Sequence, residues 1–311
     1  MIDKPVDVVC VASWNVDLIA HIQQPLERGQ TVLAHAFERL PGGKGSNAAI
    51  AAQRQGAQVG LVARIGGDDF GQMGLQLWGR EGIDRRHVVR AEHETNGTAL
   101  ILVYGDGDNS IAVFTGAGAG LHADHVVASR EMLAQARLVM SSCEVPLEAT
   151  QKAFEMARAC GAITLLNPAP AMALPPELWP LVDVLTPNEG ELHALAGVTH
   201  TDQAARRLLD KGVRDLVVTL GANGCAHYSK VPLATGGTEV QVQSLQGHAL
   251  EVVDTIGAGD AFNGALAAAL ARQDDWPKAL AMANAAAALS TQGRGAVAAM
   301  PTLDEVRRWL G

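Results

Sequence analysis

The run VDVVCVAS at residues 6–13 carries apolar side chains at nearly every position. A near-continuous apolar run of this length belongs to a strand covered on both faces, as in a parallel sheet. Runs of the same kind return as QVGLVARI at 58–65, ARLVMSS at 136–142, AITLLN at 162–167, VDVLTP at 182–187 and DLVVTL at 215–220. Between them lie helical stretches such as 46–55, 148–160 and 202–211. Strands that alternate with helices predict an α/β protein with a mostly parallel central sheet and helices on both faces.

Two segments break this rhythm. Residues 95–116, TNGTALILVYGDGDNSIAVFTG, read as strand, GDGDN turn and strand, which makes a hairpin rather than a crossover. Residues 17–40 lack a helical period and offer further short strands. The expected organisation is an α/β body of residues 1–14, 41–94 and 117–311, carrying a small β-sheet lid built from insertions 15–40 and 95–116. Gly116, Gly118 and Gly120, where the hairpin rejoins the body, fit a hinge and a plain flexible loop equally well. The alanine-rich tail at 261–292 reads as helices packed closely on the sheet.

Composition narrows the class of function. A chain of 311 residues suffices for one large α/β domain with an insertion, or for two domains. Acidic residues number 33 against 24 Lys plus Arg, and no basic block appears, so no nucleic-acid partner is expected. Cys10, Cys143, Cys160 and Cys225 are scattered without C-x-x-C spacing, which fits reduced thiols. No run approaches the ~18 apolar residues of a membrane span, and the opening MIDKPVDVVCVAS has no signal-peptide pattern. A cytoplasmic protein with no membrane partner is expected.

In open α/β sheets, ligands gather outside the carboxyl ends of the strands. There the sequence sets Asn15 and Asp17 after the first run, Gly66, Gly67, Asp68 and Asp69 after the second, and Glu144 after the third. Asn167 follows the fourth run, Asn188 and Glu191 the fifth, and Thr219 and Gly221 close the sixth. Singly, each is a turn former or helix cap, and Asp68 and Asp69 are read as caps. With GGKGSN at 42–47 and GAGD at 257–260 also opening helices, the set exceeds what capping requires. Carboxylates accept from hydroxyls while lysine and asparagine donate to them, which suits a polyhydroxyl ligand. Bare glycine amides at a helix N-terminus suit a phosphate. A sugar site beside a phosphate site suggests phosphoryl transfer. Asp260 follows Gly257, Ala258 and Gly259 in DTIGAGDAFNG, which makes it either a base beside that anion site or a carboxylate favoured in a first helical turn by roughly 0.3–1 kcal/mol. A P-loop is excluded because Gly45 stands where Ser or Thr should follow Lys44. Neither H-R-D nor D-F-G is present, which excludes a protein kinase.

These motifs resemble the ribokinase-like (PfkB) sugar kinases over nearly the whole chain. In order they are SWNVD, GGKGSNAA, CEVPLE, NPAPA, TPNEGE, TLGANG and DTIGAGDAFNGA, the last being the most specific signature of the family. The lysine of GGKG is similar to the ribose-phosphorylating members more than to the fructokinase-like ones. The resemblance implies that Asn15, Asp17, Gly43, Lys44, Asn47 and Glu144 hold sugar hydroxyls under the apolar lid positions Ala99 and Val113. It implies nucleotide and magnesium-water contacts at Asn188, Glu191, Thr219, Gly221 and Asn284, an anion hole at Gly257, Ala258 and Gly259, and Asp260 as base, its pKa if anything lowered by the helix dipole. The implied reaction is transfer of the γ-phosphate of ATP to the 5-hydroxyl of D-ribose with Mg2+, in a homodimer joined through the lid. A kinase for another pentose, deoxyribose or a nucleoside, and a sugar-binding protein without catalysis, remain as alternatives. An aromatic content of 4% disfavours a base-stacking nucleoside pocket. K+ or another monovalent cation is implied at Asp254, Ile256, Ser290, Gly293 and Gly295. Two positions depart from the family pattern: Ala299 stands where a serine is expected, and Gly116, Ala117 and Gly118 replace the usual G-A-N.

Overall fold

In Val8–Ala12, the first strand, every side chain is buried, and successive residues feed two separate cores. Val8, Cys10 and Ala12 join one apolar cluster, while Val9 and Val11 join the other on the opposite face. Side chains alternate across a strand, so a strand sandwiched between helices must be apolar at both parities.

The computed structural model describes residues 6–233 and 237–311. In chain order it contains β1 (Val8–Ala12), β2 (Asn15–His21), β3 (Ala36–Gly42), α1 (Lys44–Arg54), β4 (Val59–Gly66), α2 (Asp69–Arg80) and β5 (Asp84–Ala91). There follow β6 (Gly97–Val103), β7 (Asn109–Phe114), α3 (Ala123–Ala128), α4 (Arg130–Gln135), β8 (Leu138–Ser142), α5 (Leu147–Ala159), β9 (Ile163–Asn167) and β10 (Val184–Leu185). The remainder is α6 (Glu189–Ala196), α7 (Thr201–Asp210), β11 (Asp215–Thr219), β12 (Cys225–Pro232), β13 (Thr238–Leu245), α8 (Ala258–Ala271), α9 (Trp276–Ser290) and α10 (Leu303–Leu310).

The large sheet runs β13-β12-β11-β10-β9-β8-β1-β4-β5 and is parallel from β11 to β5. From β1 the chain moves outward through β4 and β5, then returns as β8 on the other side of β1 and proceeds the other way. The switch point therefore lies between β1 and β8, where an open sheet forms its ligand crevice. The small sheet, β3-β2-β6-β7, is built from two excursions: β2 and β3 lie between β1 and α1, and β6 and β7 follow β5 before the chain returns at Gly116. Its strands fall within the two expected insertions, apart from the last two residues of β3.

Three features differ from the sequence reading. β5 and the antiparallel β12–β13 pair extend the sheet at its two edges. The two edge strands, β5 and β13, carry polar side chains at their outer positions, and β12 is buried only over its first half, so no long apolar run marks any of them. The glycines at 116–120 form a short 3-10 turn, pinned where Ala117 N–H donates to the Thr95 carbonyl and Arg64 donates to the Ala117 carbonyl. The first five residues of the expected body and residues 234–236 lie outside the described residues. No helix among the described residues is long and apolar enough to cross a membrane.

α8 crosses α1 at Gly264, where a Cβ would run into the Ala48 carbonyl oxygen and lie 2.5 Å from the Ala51 Cβ. This close crossing sets where the N-terminus of α8 stands over the crevice. Gly264→Val is therefore expected to cost about 2 kcal/mol through overpacking, seen as a melting temperature lowered by roughly 4–8 °C. An unchanged melting temperature would contradict the crossing.

Candidate active site

Glu144, just beyond β8, joins three elements. Its Oε2 accepts a hydrogen bond from Ser13 Oγ at 2.7 Å and from the Lys44 backbone N–H at 2.8 Å. Ser13 Oγ accepts from Gly45 N–H at 3.2 Å, and the Ser13 carbonyl accepts from Ser46 N–H at 3.1 Å. The ends of β1 and β8 are thereby fixed to the N-terminus of α1. Gly43 caps α1 at φ +92°, and a Cβ there would come within 2.8 Å of the Ser13 carbonyl oxygen. At that φ, and at that distance from backbone, only glycine fits.

Asp260 lies in the first turn of α8, facing α1. Its Oδ2 accepts from Asn47 Nδ2 at 2.8 Å, and both side chains are more than nine-tenths buried. Burial pushes the Asp260 carboxyl up to about 6; Lys44 and the Asn47 hydrogen bond pull it down, and Glu144 and Glu191 push it further up. The dipole argument from sequence expects a lowered value, and it fails because desolvation in the packed crevice outweighs it. Asp17 is likewise raised to about 6, by burial and then by Glu144, with Lys44 opposing. Burial also raises Glu191, against an Asn188 hydrogen bond and Lys44. The Lys44 charge thus acts on three carboxylates, Asp17, Glu191 and Asp260.

Of the two glycines before Asp260, Gly257 is required by the fold. It sits at φ +80°, and a Cβ would lie 2.5 Å from the Ala296 Cβ. At Gly259 such a Cβ would meet nothing within 4 Å beyond the backbone of its own turn and its chain neighbours, so a side chain there would project into open cleft. Asn263, which the sequence reading missed, donates from Nδ2 to the Gly259 carbonyl at 2.9 Å and fixes this turn. Its i+4 spacing from Gly259 inside the signature is the signal that could have revealed it.

A cavity of about 920 Å3 adjoins this turn. Ala258, Gly259, Thr219, Gly221 and Asn284 line it, and Asn284 Nδ2 donates to the Gln246 carbonyl at 2.9 Å. Asn188 and Glu191 do not line it. They form a reciprocal cap on α6, with Asn188 Oδ1 accepting from Glu191 N–H at 2.8 Å and Glu191 Oε2 accepting from Asn188 N–H at 2.9 Å. On the small sheet, Asp17 pairs with Ala99 and Ala99 with Val113, so the three share one face. Ala99 is buried, whereas Val113 is 62% exposed. Asn15 stands against Gly97 at the root of the same face.

Asp254 Oδ1 accepts from Ile256 N–H at 2.9 Å and Oδ2 from Gly295 N–H at 2.9 Å, which ties the 254–256 and 293–295 segments together. Ser290 Oγ instead donates back to the Ala287 carbonyl of its own helix, and Gly293 packs against the Ala299 methyl. All four cysteines are free, and among the described residues no group of three His, Cys, Asp or Glu side chains could hold a metal.

A carboxyl whose folded pKa exceeds its unfolded value binds more protons folded than unfolded, so stability falls as pH rises from about 4 to about 6. Asp260→Asn removes that penalty. Its melting temperature is expected to exceed the parent's by roughly 2–6 °C at pH 8, with the gain disappearing towards pH 4 in calorimetric scans. A constant gain at every pH would contradict the buried charge.

Comparison with known proteins agrees with this geometry. The model of the pfkB family carbohydrate kinases matches residues 6–303. A ribokinase of Haemophilus influenzae is 33% identical over 305 residues, covering 96% of this chain and 97% of the relative. A deoxyribokinase of Salmonella typhi is 32% identical over 310 residues, covering 98% of both. The structure of Arabidopsis thaliana ribokinase complexed with ribose and ATP superposes with a TM-score of 0.89 at 29% identity, covering 99% of each chain. A carboxylate at a glycine-led helix N-terminus, between an acidic crevice and a long cavity, is found here in a chain that belongs to the pfkB family of carbohydrate kinases.

Proposed function

We propose that this protein transfers the γ-phosphate of ATP to the 5-hydroxyl of D-ribose, giving D-ribose 5-phosphate and ADP. The observation that carries the reading is the position of Asp260, held by Asn47 where the carboxylate-ringed crevice meets the large cavity. The similarity to proteins described as ribokinases, one of them a structure with ribose and ATP, supports the same acceptor.

In this reading Asn15, Asp17, Gly43, Lys44, Asn47 and Glu144 hold the sugar hydroxyls, with Ala99 and Val113 covering them from the β lid. Asp260 accepts the 5-hydroxyl proton and aims that oxygen at the phosphorus. Phosphoryl transfer passes through a loose transition state in which little proton has been lost, so placement counts for more than basicity. The amides of Gly257, Ala258 and Gly259 receive the charge that builds on the transferred group. Thr219, Gly221 and Asn284 contact the nucleotide from the cavity wall.

Mg2+ bound with ATP would neutralise charge on the phosphates. The residues fit an ion that brings its own waters and phosphate ligands, because Glu191 uses only Oε2 in its cap and the described residues offer no closed cage. Asn188 and Glu191 would hold those waters. A K+ or other monovalent cation would sit among carbonyls of Asp254, Ile256, Ser290, Gly293 and Gly295, since the Asp254 carboxylate already joins the two loops. Ala299 provides no hydroxyl there, so activation should be modest. Phe37, Leu100, Ile111, Val113 and Phe114 are exposed on the lid, and a second copy pairing through this sheet would cover them. We place the homodimer in the cytoplasm.

Coupled ADP release with ATP and Mg2+ should favour D-ribose over 2-deoxyribose, fructose and adenosine. Preference for 2-deoxyribose would favour the deoxyribokinase reading that the Salmonella typhi relative supports, and sugar binding without ADP release would point to a non-catalytic protein. Asp260→Asn should lower kcat by about 10²–10⁴-fold; a variant keeping most of its turnover would remove the base from the mechanism. Because Asp260 and Asp17 titrate near 6, kcat/KM for the sugar should fall as pH drops below about 6 and hold above it.

A further inference from the structure

The large cavity has one wall that belongs to none of the motifs, the stretch from Ser244 to Leu250 leading out of β13. Three contacts fix this wall. At Gly247 the backbone passes so close to residues 222–224 that a Cβ would lie 3.0 Å from Gly224 N. The Asn284 amide holds the Gln246 carbonyl. The third contact comes from the C-terminal helix, where the Trp309 indole N–H donates to His248 Nδ1 at 3.1 Å. The two rings meet edge to face, with centroids 5.9 Å apart. Helix α10 is itself anchored by a Thr302–Glu305 capping box and by the buried Val306.

An indole nitrogen only donates. Nδ1 of His248 is therefore the acceptor, and the neutral ring carries its proton on Nε2. Among the described residues no other group hydrogen-bonds to this ring. His248 is half-buried and lines the cavity beside Leu245, Ala249, Leu250 and Ala287. Those neighbours can bury the faces of a flat ring but cannot read its polar edge.

We propose that His248 is a nucleotide-recognition residue, donating Nε2–H to an acceptor nitrogen of the purine base of ATP, and that Trp309 is its positioning residue. The C-terminal helix thus sets the tautomer and the place of a side chain in the nucleotide cavity. This inference rests on the kinase reading above, because it takes ATP as the occupant of the cavity.

The test compares the parent with His248→Ala, His248→Gln and Trp309→Phe, varying ATP and ribose separately. His248→Ala should raise KM for ATP about tenfold, the equivalent of one lost hydrogen bond, and leave KM for the sugar in place. Glutamine keeps a donor and should recover most of that loss. Trp309→Phe keeps an aromatic ring but no N–H and should raise KM for ATP about threefold. Titration with ADP should change the parent's tryptophan fluorescence, and that change should be absent from Trp309→Phe. A KM for ATP within about twofold of the parent in His248→Ala would overturn the proposal. If that variant does not fold, parental KM in Trp309→Phe, with an unaltered ADP response in its fluorescence, would overturn it instead. A parent protein that releases no ADP would overturn the kinase reading itself, which is a different result from an active parent whose variants match it.

Discussion

The site depends on one carboxylate oxygen. Glu144 Oε2 receives the Ser13 hydroxyl and the Lys44 amide, and so binds the carboxyl ends of two adjacent parallel strands to the start of the helix that follows the lid. The sheet places Ser13 and Glu144 side by side because its strand order reverses between β1 and β8. That junction fixes the backbone origin of Lys44, whose charge acts on Asp17, Asp260 and Glu191. A charged group that both bonds and stays within a crevice is well suited to hold such a junction, since hydrogen bonds to an ionised acceptor are about twice as strong as neutral ones.

The electrostatics follow from that arrangement. Asp260 is buried between α1 and α8, Asp17, Glu144 and Glu191 stand half-buried around the same crevice, and Lys44 offsets only part of their negative charge. The outcome is a raised pKa at Asp17 and at Asp260, a stored unfavourable energy that ligand hydroxyls and counter-ions can relieve. Functional sites commonly carry such locally unfavourable groups, supported by the stability of the surrounding core. Here the support is the close crossing of two alanine-rich helices and a β1 strand buried on both faces.

Much of this was legible in the sequence, for reasons that can be named. The parallel strands announced themselves because burial on both faces demands apolar residues at both parities, and the lid because GDGDN interrupts two apolar runs. β5 and β13 gave no such signal, since edge strands mix charge with apolar side chains, and in β12 only the first four residues are buried before polar positions follow. At the site, the motifs at the carboxyl ends of the strands pointed to Lys44, Asn47, Glu144 and Asp260, which the fold joins through the Asn47–Asp260 and Lys44–Glu144 hydrogen bonds. The direction of the Asp260 shift was not legible, because it depends on how deeply α1 and α8 bury the group rather than on its place in a helix. Ser13 and Asn263 were missed although both lie inside the quoted motifs, because each acts by a hydrogen bond that only the fold reveals, to Glu144 and to the Gly259 carbonyl.

The central claim is geometric: the crevice presents the 5-hydroxyl of a pentose to Asp260. Phosphorus and carbon NMR of the product made from ATP and ribose labelled with 13C at carbon 5 reads that geometry directly. The account predicts a phosphorus resonance coupled to the labelled carbon. A phosphate on carbon 1, with no coupling to carbon 5, would show that the sugar binds the other way round and would contradict the assignment of the crevice.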